Sequence, residues 1–178
     1  MTLKPVSRAA LALGILGALI AALSGCGYAL VGRGSNIPAD VKEVYLRPLE
    51  NRTPRSQVEQ FLTRSIAEEL VTRQRFAVVA NAEGADAEIS GAVVGFATTP
   101  VTFDPEGRAT EYEISITAQL AFKRVGSDQV LWSNDNYNFR ETYPIDASSG
   151  FVDFEDQAIE RASERFAETV VSDLLEGF

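Results

Sequence analysis

From Glu111 to Arg124 the chain alternates almost without interruption. Tyr112, Ile114, Ile116, Ala118, Leu120 and Phe122 are apolar, and Glu111, Glu113, Ser115, Thr117, Gln119 and Lys123 between them are polar. A period of two marks a β-strand with one buried and one wet face. Such a strand belongs in an antiparallel sheet and limits how many layers that sheet can carry. Gly126-Ser127-Asp128 makes a turn, and Val130–Glu141 returns. Val130 and Trp132 share one parity, whereas Tyr137 and Phe139 have the other, so a bulge near Asn134–Asn136 is expected.

Two segments read as helices. The first runs from the Thr53-Pro54 break to about Arg75, with Val58, Phe61, Leu62, Ser65, Ile66, Glu69 and Leu70 on one face. Either Thr53 caps it with Pro54 in the first turn, or Ser56 and Glu59 form a capping box. The second runs from about Phe151 to Leu175. Its stripe is Phe151, Phe154, Ile159, Ala162, Phe166, Val170 and Leu174, and Asp153, Glu155 and Asp156 favour its N-terminal end.

Val41–Leu49 is an expected strand whose Pro48 marks an edge or an exit. Phe76–Val79 either ends the first helix or forms a brief strand. Ala85–Phe96 alternates, with Ala87, Ile89 and Val93 on one face, and Gly91 and Gly95 signal a bulge or close packing. Thr98–Ala109, with Pro100, Pro105 and Gly107, reads as a loop. Both helices must bury a stripe while one sheet face stays wet. The expected fold is therefore α+β: a two-layer sandwich, a mixed four-stranded sheet covered on one face by two helices, in the order β-α-β-β-β-α. The first strand–helix–strand unit should cross over right-handed.

The N-terminus carries Lys4 and Arg8, then an apolar core from Ala9 to Leu23, then Ser24-Gly25-Cys26 with the chain's single cysteine. A basic segment followed by an apolar core is the layout of a secretory signal. The core has about 15 residues where a spanning helix needs about 20. The small residues before Cys26 resemble the bacterial lipobox. On that reading residues 1–25 are a signal peptide, Cys26 carries acyl chains that hold the protein on a membrane, 26–40 is a tether and first loop, and 41–178 is a single domain. Gly27 in place of an aspartate favours the outer membrane.

Loss of the signal would bring the formal net charge from −9 to −11. Such a chain has no bulk attraction for nucleic acid or a bare anionic bilayer. It contains no histidine, which removes the commonest general base and metal ligand. Asp86 with Glu88, and Asp153 with Asp156, read as solvated or helix-capping acids. No phosphate-binding glycine loop is present. No catalytic set, metal site or cofactor is expected. The basic groups least offset by neighbours in sequence are Arg108, Lys123 and Arg124, which are candidates for glycolipid phosphates.

Cys26-Gly27-Tyr28, Ile37-Pro38, Glu50-Asn51-Arg52-Thr53, Glu59, Leu62-Thr63, Arg75-Phe76, Ala85-Asp86-Ala87, Gly91, Val130-Leu131-Trp132 and Tyr143 together resemble the lipopolysaccharide-assembly lipoproteins of LptE type. The resemblance implies an outer-membrane lipoprotein on the periplasmic side. It would plug the β-barrel translocon that inserts lipopolysaccharide into the outer leaflet and assist that barrel's assembly. The family's ligand-binding basic residues do not align with this acidic chain, so lipopolysaccharide binding is the weaker part of the implication. The alternative keeps the anchor and changes the partner, to a peptidoglycan synthase or a secretion pore. About fourteen residues separate Cys26 from the first strand, too few to reach across the periplasm, which favours the barrel.

Overall fold

The computed structural model describes residues 37–144 and 151–176, with side chains in the last helix from residue 156 onward. The elements are β1 (Glu43–Leu46), β2 (Glu50–Asn51), α1 (Val58–Arg73), β3 (Ala77–Val79), β4 (Ala87–Phe103), β5 (Ala109–Arg124), β6 (Val130–Pro144) and α2 (Phe151–Glu176). One mixed sheet runs in the order β3-β1-β4-β5-β6, with β2 paired to β4. β1 is parallel to both β3 and β4, and β4, β5 and β6 are antiparallel in succession.

The α+β architecture is as expected, but the sheet has six strands rather than four. The additions are two or three residues long, too short to show a period. Pro48 creates one of them. It cannot donate to the ladder, so the segment after Val41 divides into β1 and β2. Both halves pair parallel with β4, Val44 opposite Ala87 and Asn51 opposite Val93. Phe76–Val79 resolves as the edge strand β3.

A second correction concerns Thr98–Ala109, which is mostly strand. β4 continues to Phe103, and only Asp104–Arg108 turns. Asp104 Oδ1 accepts the backbone N–H of Glu106 and Arg108 at 3.0 and 2.8 Å, and Gly107 takes φ +81°. Pro100 stands at a register shift of the β4–β5 ladder, between Pro100 and Thr102, and a bulge is one of the places where a sheet accepts proline.

The third correction is the start of α1. Neither proposed cap forms: Gln57 holds the N-cap in the left-handed region, with no side-chain bond. Thr53 is engaged elsewhere, since its hydroxyl donates to Asn51 Oδ1 at 2.8 Å.

Ion pairs report the relative direction of the helices. Arg55 meets Asp156 at 2.9 Å and Arg64 meets Glu160 at 2.7 Å, so α1 and α2 run parallel. The core between helices and sheet holds Val58, Leu62, Ile66 and Leu70 of α1 with Ile159, Phe166, Val170 and Leu174 of α2. They pack on Val44, Ile89, Ile114, Ile116 and Phe122 of the sheet.

The β6 bulge occurs where the change of parity requires it. Ala118 faces Tyr137 and Leu120 faces Asn134, leaving one extra residue in β6. Trp132, Tyr137, Phe139 and Tyr143 therefore all reach the helix side. Phe166 stands edge-on to Tyr137 and Phe139, with ring centroids 5.6 and 5.9 Å away. Such pairs contribute about 0.5–1.5 kcal/mol each beyond burial.

Candidate functional site

Cys26 and the rest of the signal and tether to residue 36 lie outside the described residues. The other three sequence candidates fall at opposite ends of β5. Arg108 is at the turn before it, and Lys123 and Arg124 close it. At ~3.3 Å per residue this separates them by about 50 Å, so they do not form one site. Nor are the two arginines free of counter-charge. Arg108 meets Asp104 at 2.8 Å and Glu106 at 3.6 Å. Arg124 meets Asp40 at 2.8 Å, a partner 84 residues away, and its Nε donates to Gln129 at 3.1 Å. That hydrogen bond from Arg124 holds the Asp40 carboxyl below the usual range. Lys123 is exposed and makes no ion pair among the described residues.

The residues that carry the family resemblance have structural tasks. Asn51 builds the turn between β2 and α1. Its Oδ1 accepts from the Thr53 N–H and hydroxyl at 2.9 and 2.8 Å, and its Nδ2 donates to Arg55 O and Glu59 Oε2, both at 2.7 Å. Thr63 Oγ1 accepts the Leu49 N–H at 3.0 Å and donates to Glu59 O at 2.6 Å, tying that turn to the helix.

Asp86 is more than a solvated acid. Its Oδ2 accepts the N–H groups of Lys42 and Glu43 at 2.8 and 2.9 Å, fastening the start of β4 to the start of β1. These backbone bonds lower its pKa. Its folded value thus lies below its unfolded value of about 3.9. The stabilisation is complete above the unfolded value and lost as pH falls through the folded one. The melting temperature should drop as pH falls below about 4, and an Asp86→Asn variant should show a shallower drop in the same scan. Equal slopes would mean that the carboxylate does not staple the strands.

What remains for partners is surface. Four of the five exposed large apolar side chains among the described residues sit at the two ends of the sheet, and the fifth is on a helix. Val101 and Phe103, the latter 57% exposed, flank the β4–β5 turn. Val125 and Val130 stand at the opposite end, and Val71 is near the end of α1. Two buried hydroxyls, Thr98 Oγ1 and Tyr143 Oη, have no hydrogen-bond partner among the described residues. Arg161 lies over the Tyr143 ring at 5.5 Å, and burial pushes that phenol up to about 12. Among the described residues no three acidic or cysteine side chains are grouped to hold a metal ion. No described helix is long and apolar enough to cross a membrane.

Comparison with solved structures places the fold. The chain is similar to a hypothetical protein from Chlamydia trachomatis, with TM-score 0.53 and 10% identity, covering 77% of this chain and 96% of that one. It is also similar to a protein from Xanthomonas campestris, with TM-score 0.52 and 15% identity over 79% and 88%. Rare lipoprotein B from Shewanella oneidensis gives 0.47 at 16% identity over 75% and 93%. No curated protein matches at a significant level. The family model described as lipopolysaccharide-assembly, LptE, matches residues 41–174, from two residues before β1 to near the end of α2. That span includes the Asn51 turn, the Asp86 staple and the whole sheet, and the chain belongs to the LptE lipopolysaccharide-assembly family.

Proposed function

We propose that the protein is a lipoprotein held by Cys26 on the periplasmic side of the outer membrane. It enters and plugs the β-barrel translocon for lipopolysaccharide and supports that barrel's assembly. The observation that carries this reading is the ribbon of β4, β5 and β6. Its strands have 17, 16 and 15 residues, about 50 Å of length, against a hydrocarbon core of ~30 Å. Asp40, the last residue of the tether and first loop, is tied to Arg124 at one end of this ribbon. The Val101–Phe103 tip is at the other end. The tip is therefore about 50 Å from the end that Asp40 holds, and the ribbon is long enough to reach through a barrel.

Recovery of the C-terminally tagged chain from envelopes in mild detergent tests the reading. A large β-barrel at one to one is expected. A Val101→Glu, Phe103→Glu double variant should recover roughly tenfold less, the effect of losing an apolar contact pair at an interface. A peptidoglycan synthase, or a ring of copies without a barrel, would sink the assignment.

Glycolipid contact, where it occurs, belongs to Lys123 more than to the arginines. A phosphate at Arg108 or Arg124 must displace a carboxylate 2.8 Å away. Lys123→Ala should weaken binding of the glycolipid to the purified protein more than Arg108→Ala does. The reverse order would place the contact at the tip.

A further inference from the structure

The seam between the two helices keeps one charge pattern for two rungs and then breaks it. Arg55, just ahead of α1, meets Asp156, and Arg64 meets Glu160. In both pairs the cation comes from the α1 side and the acid from α2. The helices run parallel, so facing positions advance together along the seam. One turn beyond Arg64 and Glu160 stand Glu68 and Glu164. Neither makes an ion pair among the described residues, and both line one groove. Two carboxylates thus occupy the rung where the pattern sets opposite charges, and like charges repel.

The groove has a volume of about 220 Å³. Its walls also carry Glu69 and Glu168, which Arg73 and Arg165 pair at 2.6 and 3.0 Å. Those arginines leave Glu68 and Glu164 uncompensated. Ser65 lines the same groove although it is only 5% exposed. Its hydroxyl makes no hydrogen bond among the described residues. The hydroxyls around it behave differently. Thr63, Thr72, Ser163 and Thr169 each donate to the carbonyl four residues back, and Ser172 donates to Glu176. A hydroxyl at such depth is ordinarily bonded, and the groove is the direction from which a partner reaches Ser65.

We infer that this groove binds a primary alkylammonium, the end group of a lysine side chain or of a polyamine. An ammonium is a compact charge with three donors and no acceptor. The groove offers it acceptors from three sides: Ser65 Oγ at depth, the Glu68 carboxylate from α1 and the Glu164 carboxylate from α2. A guanidinium keeps its donors in one plane and matches such a set less well. A metal ion is a poorer fit again, because no three acidic side chains among the described residues are grouped to hold one. The inference does not depend on the plug reading.

The test titrates cadaverine, a plain alkyl diamine, into the purified full chain at low salt and follows binding by calorimetry. Glu164→Gln and Ser65→Ala should each weaken binding roughly tenfold, the loss of one hydrogen bond to a charged group. Glu83→Gln, at an exposed acid outside the helices, should leave it unchanged. The fully methylated diquaternary analogue, which has no N–H to donate, should bind at least roughly tenfold more weakly. Glu68→Lys supplies the missing cation from α1 itself, so binding should vanish while the melting temperature holds or rises. Carbodiimide coupling in intact envelopes separates the two sources. A protein joined through its lysine to Glu68 or Glu164 makes the ligand a side chain, and cadaverine binding without such a product makes it a polyamine. Equal affinity for the diamine and its quaternary analogue, or unchanged binding in Ser65→Ala, would reduce the effect to the diffuse attraction of an acidic surface and overturn the site. Failure to find either diamine binding or a coupled product would overturn it too.

Discussion

Gly91→Ala should destabilise the protein by about 3 kcal/mol or more, at the upper end of what overpacking costs. A Cβ at this position would lie 2.1 Å from Gln119 O and 2.9 Å from Leu120 Cδ2. The nearer atom is backbone in the neighbouring strand, so no rotamer change relieves the overlap. Only a displacement of β5 against β4 does, in the middle of the longest ladder in the sheet. For a chain of this size the melting temperature should fall by about 6–12 °C. Gly107→Ala is the control. Gly107 also resists substitution, through its φ of +81°, but nothing lies within 4 Å of its added Cβ, and the cost should stay near 1 kcal/mol. Equal losses at the two positions would mean that the close approach of β5 is not what requires Gly91.

Gly91 is also one of the residues through which the family resemblance shows, and its companions behave alike. Asn51, Thr63 and Asp86 each join two elements through hydrogen bonds to backbone. Asn51 and Thr63 lie away from the exposed apolar residues, and Asp86, whose carbonyl accepts the Val125 N–H at 3.0 Å, serves at one sheet end as a joint. What the sequence makes recognisable is therefore the frame. The contact surfaces vary more freely because a surface substitution away from such joints changes stability little.

The same distinction decides what could be read in advance. The alternation of β5 maps directly onto burial, with Ile114, Ile116, Ala118, Leu120 and Phe122 all covered. The α2 stripe holds from Ile159 to Leu174 for the same reason: a period repeated over many residues survives local exceptions. β2 and β3 are too brief to have one. Pro100 misleads because a proline's cost depends on whether a neighbouring strand needs its N–H, which topology decides. The candidate site was the least legible part. Asp40 neutralises Arg124 from 84 residues away, and no local pattern reports that. Two basic groups flanking one strand look close in sequence terms but lie at its opposite ends.

Deletion of Asn136 should abolish the native fold. The bulge at Asp135–Asn136 gives β6 one extra residue between Asn134 and Tyr137, beyond the register shift at Leu131 nearer its start. Removing it moves everything after it by one position, and in a strand one position exchanges the two faces. Tyr137, Phe139 and Tyr143 would turn towards solvent, and Asn138 and Arg140 towards Phe166 and the helix layer. Loss of three buried aromatic side chains costs on the order of 5 kcal/mol, before the charge of Arg140 is counted. Total stabilities are typically about 5–15 kcal/mol. The deletion variant should therefore lack a cooperative thermal transition, whereas Asn136→Ala, which keeps the residue count, should melt within a few degrees of wild type. A competing outcome is physically possible: the Gly126–Gln129 turn could give up one residue and slide Val130–Asn134 instead, keeping the aromatic side chains inward. Near-normal melting of the deletion variant would show that the turn, and not the bulge, carries the register. The inward aromatic set would then be what selects the pairing of β6.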